Sequence, residues 1–527
     1  MMFAVALYSV DQDTIVLIAE ELKQQVERLQ HHPSIALWAG NNENEVAISQ
    51  FWWPEVLLFL ERLKQDYVHL YVEVLRPIIR RLDPDRPFLL SSPSNAKASE
   101  QMGLFKDPQN PNYGDVHFYD YSPDCFNDSK YPNAKFVSEY GFQAYPSLQT
   151  MAQALLPENL VWPIRPVVAE RQHAPLGNQN LLDQIQFNFE WNSSAPSKEI
   201  SSYNQFSEFV YLSQVIQSMA IKLESEFYIR NRQYGWWNQP DNAQAVKNIT
   251  QISRLTMGSL YWQLNDVWQA PTWSSVDFNG TYKLLHHQVL RFFRPLHVIA
   301  FRQNSFLGIA LINDCIQAVQ FKVQVCVYPF APLSEAGPIV VKEFQAAVQR
   351  LNVRTEHFDL DQLLIKAGCR SEANCAFRVK FVADVQPNAG NALYEQRIET
   401  RPNTWMMAGE DQDLNAQSIG LVKEGENFLL LDRPRNLRLI GAQVSATFSE
   451  WFHVLNPSHK FGYVLQLITD APALFVGLDF MVGSHILGEF SDNGFIQFDA
   501  QKRIYFYTTE FHSLGQLNEN LVLHKYN

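Results

Sequence analysis

Through the first 295 residues the chain alternates short apolar runs with stretches whose apolar residues recur every three or four positions. The opening run, Met1 to Val10 (MMFAVALYSV), predicts a buried strand. Thr14 to Leu29 carries Ile15, Ile18, Leu22, Val26 and Leu29 at helical spacing. Asp11 and Asp13 ahead of it suit the positive end of a helix, and His31-His32-Pro33 closes it. Ser34 to Gly40 (SIALWAG) predicts a short strand and Pro54 to Leu82 a long helical stretch. Four more short strands are expected at Pro87 to Ser92, Asp115 to Tyr121, Lys135 to Ser138 and Ser259 to Leu264. Apolar strands separated by helices predict a parallel sheet covered on both faces, an α/β architecture.

Beyond residue 296 the texture changes. Ala318 to Phe330, Ala376 to Val382, Phe428 to Leu431, Tyr463 to Ile468 and Arg503 to Tyr507 are β-rich, several with a period of two, and helical spacing is rare between them. That pattern predicts two β-sandwich modules of immunoglobulin type, 296–415 and 416–527, after an α/β domain of residues 1–295. A linker-like zone, Arg401 to Gln417, lies where the two modules divide.

Composition narrows the function. A chain of 527 residues with 46% hydrophobic residues can bury several cores and is not a disordered chain. A net charge of −13 with no basic stripe argues against nucleic acid as a partner. Aromatics reach 13%, and flat rings suit the C–H faces of sugars, although most aromatics in any domain are core. Cys125, Cys315, Cys326, Cys369 and Cys375 show no metal-binding spacing, and Cys369 and Cys375 are close enough for a local disulfide. Asn-x-Ser/Thr triplets at Asn127, Asn192, Asn248 and Asn279 are compatible with a secretory route. No apolar run has the length of a membrane span, and the first ten residues lack the basic start and small-residue cleavage site of a signal peptide.

Two segments carry candidate chemistry. Leu37-Trp38-Ala39-Gly40-Asn41-Asn42-Glu43-Asn44-Glu45 and Phe136-Val137-Ser138-Glu139-Tyr140-Gly141-Phe142 each follow an apolar strand with a carboxylate. In a parallel α/β barrel the C-terminal ends of the strands face one cleft, so Glu43 and Glu139 can converge. Two carboxyls about 5–5.5 Å apart are what a retaining glycosidase needs, one to protonate the leaving oxygen and one to attack the anomeric carbon. An arbitrary strand-end Glu is ordinarily a loop carboxylate or a helix cap, and the neighbouring residues decide otherwise here.

Those neighbours resemble glycoside hydrolase family 2 and, within it, the β-mannosidases. HPSIALWAGNNENE, ending at Glu45, is similar to the family's acid/base segment, and SEYG around Glu139 to its nucleophile segment. The resemblance implies Glu43 as general acid/base, Asn42 as the contact to the sugar 2-OH, and Glu139 as nucleophile, with Glu45 a supporting or surface carboxylate. GDVHFYDY resembles the sixth barrel strand, which implies His117 and Tyr119 or Tyr121 toward the cleft, with alternation along the strand deciding between the tyrosines. Gly258 to Gln269 resembles the eighth strand and its exit loop, which implies Trp262 as a sugar-stacking floor with Asn265 and Asp266 near the site. Trp38 is expected in the core behind it. Phe490 to Phe495 resembles the terminal β-domain of the same enzymes.

The implied activity is that of a retaining exo-β-mannosidase, which removes terminal β-D-mannose from oligosaccharides and N-glycan fragments by double displacement. No cofactor or metal is implied, the partner is the β-mannoside itself rather than nucleic acid or membrane, and the animal relatives imply a lysosomal home. A β-galactosidase or β-glucuronidase is the rival within the family. In one respect the chain departs from the pattern. MMFAVALY resembles strand three, so the expected fold is an incomplete (β/α)₈ barrel, strands three to eight, followed by the two sandwiches. A barrel lacking two strands has open hydrophobic edges, which makes a catalytically impaired, at most sugar-binding fragment the alternative expectation.

Overall fold

The computed structural model describes residues 3–122, 124–191, 202–232, 256–335, 337–385, 424–456 and 458–526. The linker-like zone and the triplets at Asn192 and Asn248 lie outside the described residues. Two compact units emerge: residues 1–119, 129–140 and 237–261 form one, and 120–128, 141–236 and 262–527 the other.

In the first unit, α1 (Gln12–Leu29) begins where the Asp11 side chain accepts the Thr14 N–H, and it buries Ile18, Leu22 and Val26, the stripe its sequence spacing predicts. β1 (Trp38–Ala39) follows, then α2 (Asn44–Ser49) and α3 (Pro54–Tyr67). The helical run continues through a π-helical stretch, Val68–Leu75, into Arg76–Leu82, so the helix expected over 54–82 is present with an altered middle. β2 (Phe88–Leu89) pairs parallel with β1. Ile18, Leu22 and Val26 share a core with Trp38, Val56, Leu75, Ile79 and Leu90. Trp38 is core as expected, its indole N–H donating to Asp83 at 2.9 Å. A second parallel sheet joins β3 (Val116–Phe118), β4 (Val137–Tyr140) and β5 (Ser259–Tyr261), with His117 opposite Glu139.

Five of the six expected strands are therefore present, each short. The sixth is a correction: residues 3–10 form no strand. Some of their backbone groups pair with a loop instead of a ladder. The Phe3 carbonyl accepts the Asn42 N–H at 2.8 Å, and the Ala6 N–H donates to the Asn44 side chain at 2.8 Å. Hydrophobic runs become strands only where a neighbouring strand completes their hydrogen bonds.

The second unit contains the helix Tyr203–Arg230, buried nearly all round from Phe209 onward, and two antiparallel sandwiches. The first uses β6 (Leu296–Gln303), β7 (Phe306–Asn313), β8 (Val319–Pro329), β9 (Ile339–Val348), β10 (Asn352–Asp359), β11 (Cys375–Val385) and β12 (Glu424–Leu430). Its sheets run β10-β7-β6 and β12-β11-β8-β9. Val319, Phe321, Val323, Val325 and Val327 on β8 all enter the shared core, the two-residue period of a half-buried strand. The Cys369–Cys375 disulfide forms beside β11.

β12 moves the expected module boundary. The sequence pattern places residues 416–527 in the terminal module, but Glu424–Leu430 pairs with β11 across Ala376↔Leu430 to Val382↔Glu424, and Leu429 lies in the first core. The terminal sandwich starts later, with β13 (Val444–Asn456), β14 (His459–Thr469), β15 (Ala473–Phe480), β16 (Glu489–Phe490), β17 (Phe495–Gln497), β18 (Gln501–Thr508) and β19 (Leu521–Tyr526). Its sheets run β13-β14-β18-β16 and β17-β15-β19 around Phe448, Tyr463, Phe480 and Phe506.

Candidate active site

The chain leaves β1 through Gly40, where a Cβ would stand 2.5 Å from the Leu90 carbonyl oxygen, so only glycine lets the strand ends approach this closely. Asn41 then ties the loop down. Its amide donates to the Leu90 carbonyl at 2.9 Å, and its oxygen accepts from Asn44 N–H at 3.0 Å and Ser91 Oγ at 2.8 Å. Glu43 sits at φ 61°, in the left-handed region that costs a non-glycine residue about 1–2 kcal/mol. It occupies the N-cap position of α2, yet its side chain caps nothing. The carboxylate points instead to His117, with Oε1 2.9 Å from Nδ1.

Glu139 arrives from β4. The Tyr119 hydroxyl donates to its Oε1 at 2.7 Å, and His117 Nδ1 lies 3.8 Å from its Oε2. The three side chains are nearly dry, at 12% exposure for Glu43, 10% for Glu139 and 3% for His117. Burial pushes the Glu139 carboxyl above its usual range, against the pull of His117 and Tyr119 and with a further push from Glu43. One donor atom from each of Glu43, His117 and Glu139 lies within 4.8 Å of the others, a set that could also ligate a divalent cation. Chemically, the arrangement offers two carboxylates beside one imidazole, one of them hydrogen-bonded by a phenol.

Asn42 completes this rim. Its amide donates toward Glu43 Oε2 at 3.4 Å, and its buried oxygen has no hydrogen-bond partner among the described residues. Behind His117 stands a layer that sequence reasoning did not single out. Ser92 Oγ lies 3.3 Å from His117 Nε2 and donates to Asp115 Oδ2 at 2.5 Å; Ser138 Oγ donates to the same oxygen at 2.6 Å. Small polar residues at the ends of otherwise apolar strands were the available signal.

Tyr119, not Tyr121, is the tyrosine on the carboxylates. Tyr121, Trp262, Asn265 and Asp266 belong to the second compact unit. There the Tyr121 hydroxyl accepts the Trp273 indole N–H at 2.6 Å, and Trp262 is 44% exposed. Asn265 donates to the Asp266 carbonyl at 3.2 Å. Asp266 corrects the expectation of a substrate contact. Its side chain is fully buried and accepts from Thr272 Oγ1 at 2.6 Å and Ser274 Oγ at 2.7 Å, with Lys283 Nζ 3.6 Å away. A carboxylate so enclosed holds its own loop together. Glu45 is also no surface carboxylate: it is 1% exposed and accepts the Phe105 N–H at 3.1 Å.

Known proteins place this geometry in context. An Ig-fold domain profile of mannosidase type matches residues 454–527. The chain is 34% identical to β-mannosidase of Capra hircus over 526 residues, 98% of this chain and 52% of that protein. It is 35% identical to a probable β-mannosidase of Caenorhabditis elegans over 326 residues, 60% of this chain and 35% of that protein. A β-D-mannosidase structure from Dictyoglomus thermophilum superposes with a TM-score of 0.67 at 22% identity, covering 100% of this chain and 52% of that one, and shares its fold. Paired buried carboxylates at the ends of parallel strands, with sandwiches following in the chain, are an arrangement suited to the glycoside hydrolases. Within that class the chain is a β-mannosidase homologue. It spans about half the length of the curated relatives it matches.

Proposed function

We propose that the chain carries the catalytic carboxylates of a retaining exo-β-mannosidase, acting on terminal β-D-mannose of oligosaccharides and N-glycan fragments. The observation that carries the reading is the approach of Glu43 and Glu139 to one another, with an oxygen of each within 4.8 Å of the other, which suits the short carboxyl separation of a retaining enzyme better than the wider one of an inverting enzyme. Glu139 is the nucleophile, because a phenol donor holds it at 2.7 Å; Glu43 is the acid/base. In the first step Glu43 protonates the glycosidic oxygen as the C1–O bond breaks, and a Glu139 oxygen bonds C1. In the second, Glu43 takes a proton from water, whose oxygen bonds C1 as the Glu139 ester breaks. The unsatisfied Asn42 oxygen is suited to the axial 2-OH of mannose. On this reading β1 to β5 are parts of a (β/α)₈ barrel within residues 1–295, and the protein works in the lysosome.

Glu139→Gln removes the nucleophile while keeping its shape. Turnover of a nitrophenyl β-mannoside by the 527-residue chain is expected to fall by several orders of magnitude with unchanged circular dichroism; near-normal turnover ends the assignment. A second reading, a sugar-binding fragment without turnover, draws on the separate two- and three-stranded parallel sheets. Binding of mannose-configured ligands by an inactive parent chain would select it. Comparing nitrophenyl β-galactoside and β-glucuronide separates the other members of the class.

A further inference from the structure

Resting on the two-carboxylate reading above, the next question is what holds the proton of the acid. Ser92 has one hydroxyl hydrogen and faces Asp115 Oδ2 at 2.5 Å, His117 Nε2 at 3.3 Å and Ser138 Oγ at 3.4 Å. Asp115 accepts at both oxygens, from Ser92 and Ser138 on Oδ2 and from the Ser94 N–H on Oδ1 at 2.9 Å. A carboxylate has acceptors only, so the Ser92 hydrogen goes to Asp115. The Ser92 oxygen is then left to accept, and the group that offers it a hydrogen is His117 Nε2–H. A neutral imidazole has one N–H, so Nδ1 is left bare and faces Glu43 Oε1 at 2.9 Å.

We propose that Asp115 and Ser92 are positioning residues that fix His117 in its Nε2–H form, so that the acid proton is shared between Glu43 and His117 Nδ1. Before the first step the bond runs from the Glu43 hydroxyl to the bare Nδ1. Once that proton has passed to the leaving oxygen, a carboxylate faces a bare nitrogen. Two acceptors at 2.9 Å repel, and the repulsion favours Glu43 regaining a proton from the water of the second step. The charged and titratable groups around His117 are Glu43 after β1, Glu139 and its phenol Tyr119, and Asp115 behind; Glu45 on α2 lies within the field of Asp115. The opposite tautomer, with Nδ1–H donating to Glu43, would stabilise the ionised carboxylate and leave less of Glu43 holding the proton it must donate.

Ser92→Ala removes the acceptor and frees the ring to take that opposite tautomer. Two measurements on the full 527-residue chain decide. Nitrogen-15 NMR of histidine-labelled protein, with the His117 signals assigned from His117→Asn, is expected to show bare Nδ1 in the parent and loss of that preference in Ser92→Ala. A protonated Nδ1 with bare Nε2 in the parent overturns the relay. Kinetically, hydrolysis of mannobiose needs the acid and hydrolysis of dinitrophenyl β-mannoside does not. Ser92→Ala is expected to lower kcat/KM on mannobiose about ten- to hundredfold, part of the usual worth of general acid catalysis, and on the dinitrophenyl substrate less than about twofold. The alkaline limb on mannobiose moves to lower pH, and Ser92→Thr restores it. Equal losses on both substrates overturn the relay. Absence of turnover by the parent on both overturns the proposed function instead and leaves the NMR result to judge the relay.

Discussion

Replacing Glu45 by glutamine puts a number on a buried charge next to the site. Glu45 is 1% exposed; Oε1 accepts the Phe105 N–H at 3.1 Å, and Oε2 has no hydrogen-bond partner among the described residues. Burial pushes its carboxyl from an ordinary 4.5 up to about 7, the Phe105 N–H opposing and the Asp115 charge adding. A carboxyl raised in the folded state binds its proton more tightly there than in the unfolded chain. Stability is therefore lost as pH climbs from about 4.5 to about 7, and the loss is complete above that. At about 1.36 kcal/mol per pH interval of one, the loss is about 3 kcal/mol. Glu45→Gln keeps the acceptor for Phe105 and cannot titrate. Hydrogen exchange over residues 44–67, followed at pH 5 and pH 8, reads the local unfolding free energy of α2 and α3. The parent is expected to lose about 2.5 kcal/mol between the two pH values beyond any loss in Glu45→Gln, part of the loss having occurred below pH 5. The glutamine amide carries its own desolvation cost at both pH values, so only the difference counts. An identical pH dependence in the two proteins would refute the buried-charge argument.

Other expectations follow from the second unit. Lys283 is fully buried, 2.9 Å from Ser274 Oγ and within 4 Å of Asp266 and Asp277, so Lys283→Met leaves two buried carboxylates uncompensated; chemical denaturation is expected to show a loss of about 3–5 kcal/mol. The Cys369–Cys375 bridge closes a loop of separation six, and Cys369→Ser with Cys375→Ser is expected to cost about 2 kcal/mol in urea unfolding of the first sandwich.

Much of this was legible along the chain. The α1 stripe, the five short strands and the alternation on β8 follow from spacing, because each is set by a periodicity, and both carboxylates are singled out by the family resemblance of the residues adjacent to them in sequence. Pairing is different, since a strand is completed by a partner far away in sequence. Residues 3–10 have the apolar character of a strand, but their backbone bonds go to the Asn41–Asn44 loop at Phe3, Ala4 and Ala6 and to no neighbouring strand; β12 joins the first sandwich because β11 offers the matching edge. Enclosure is equally nonlocal. Asp266 reads as a site residue and is sealed against Lys283, whereas Asp115, unremarked in sequence, stands behind His117 with Ser92. The sequence by itself determined which side chains could do acid, base and nucleophile chemistry. Only the tertiary structure decided which of them lie within hydrogen-bonding reach of one another, because a hydrogen bond extends about 3 Å and the chain brings residues that close only by folding.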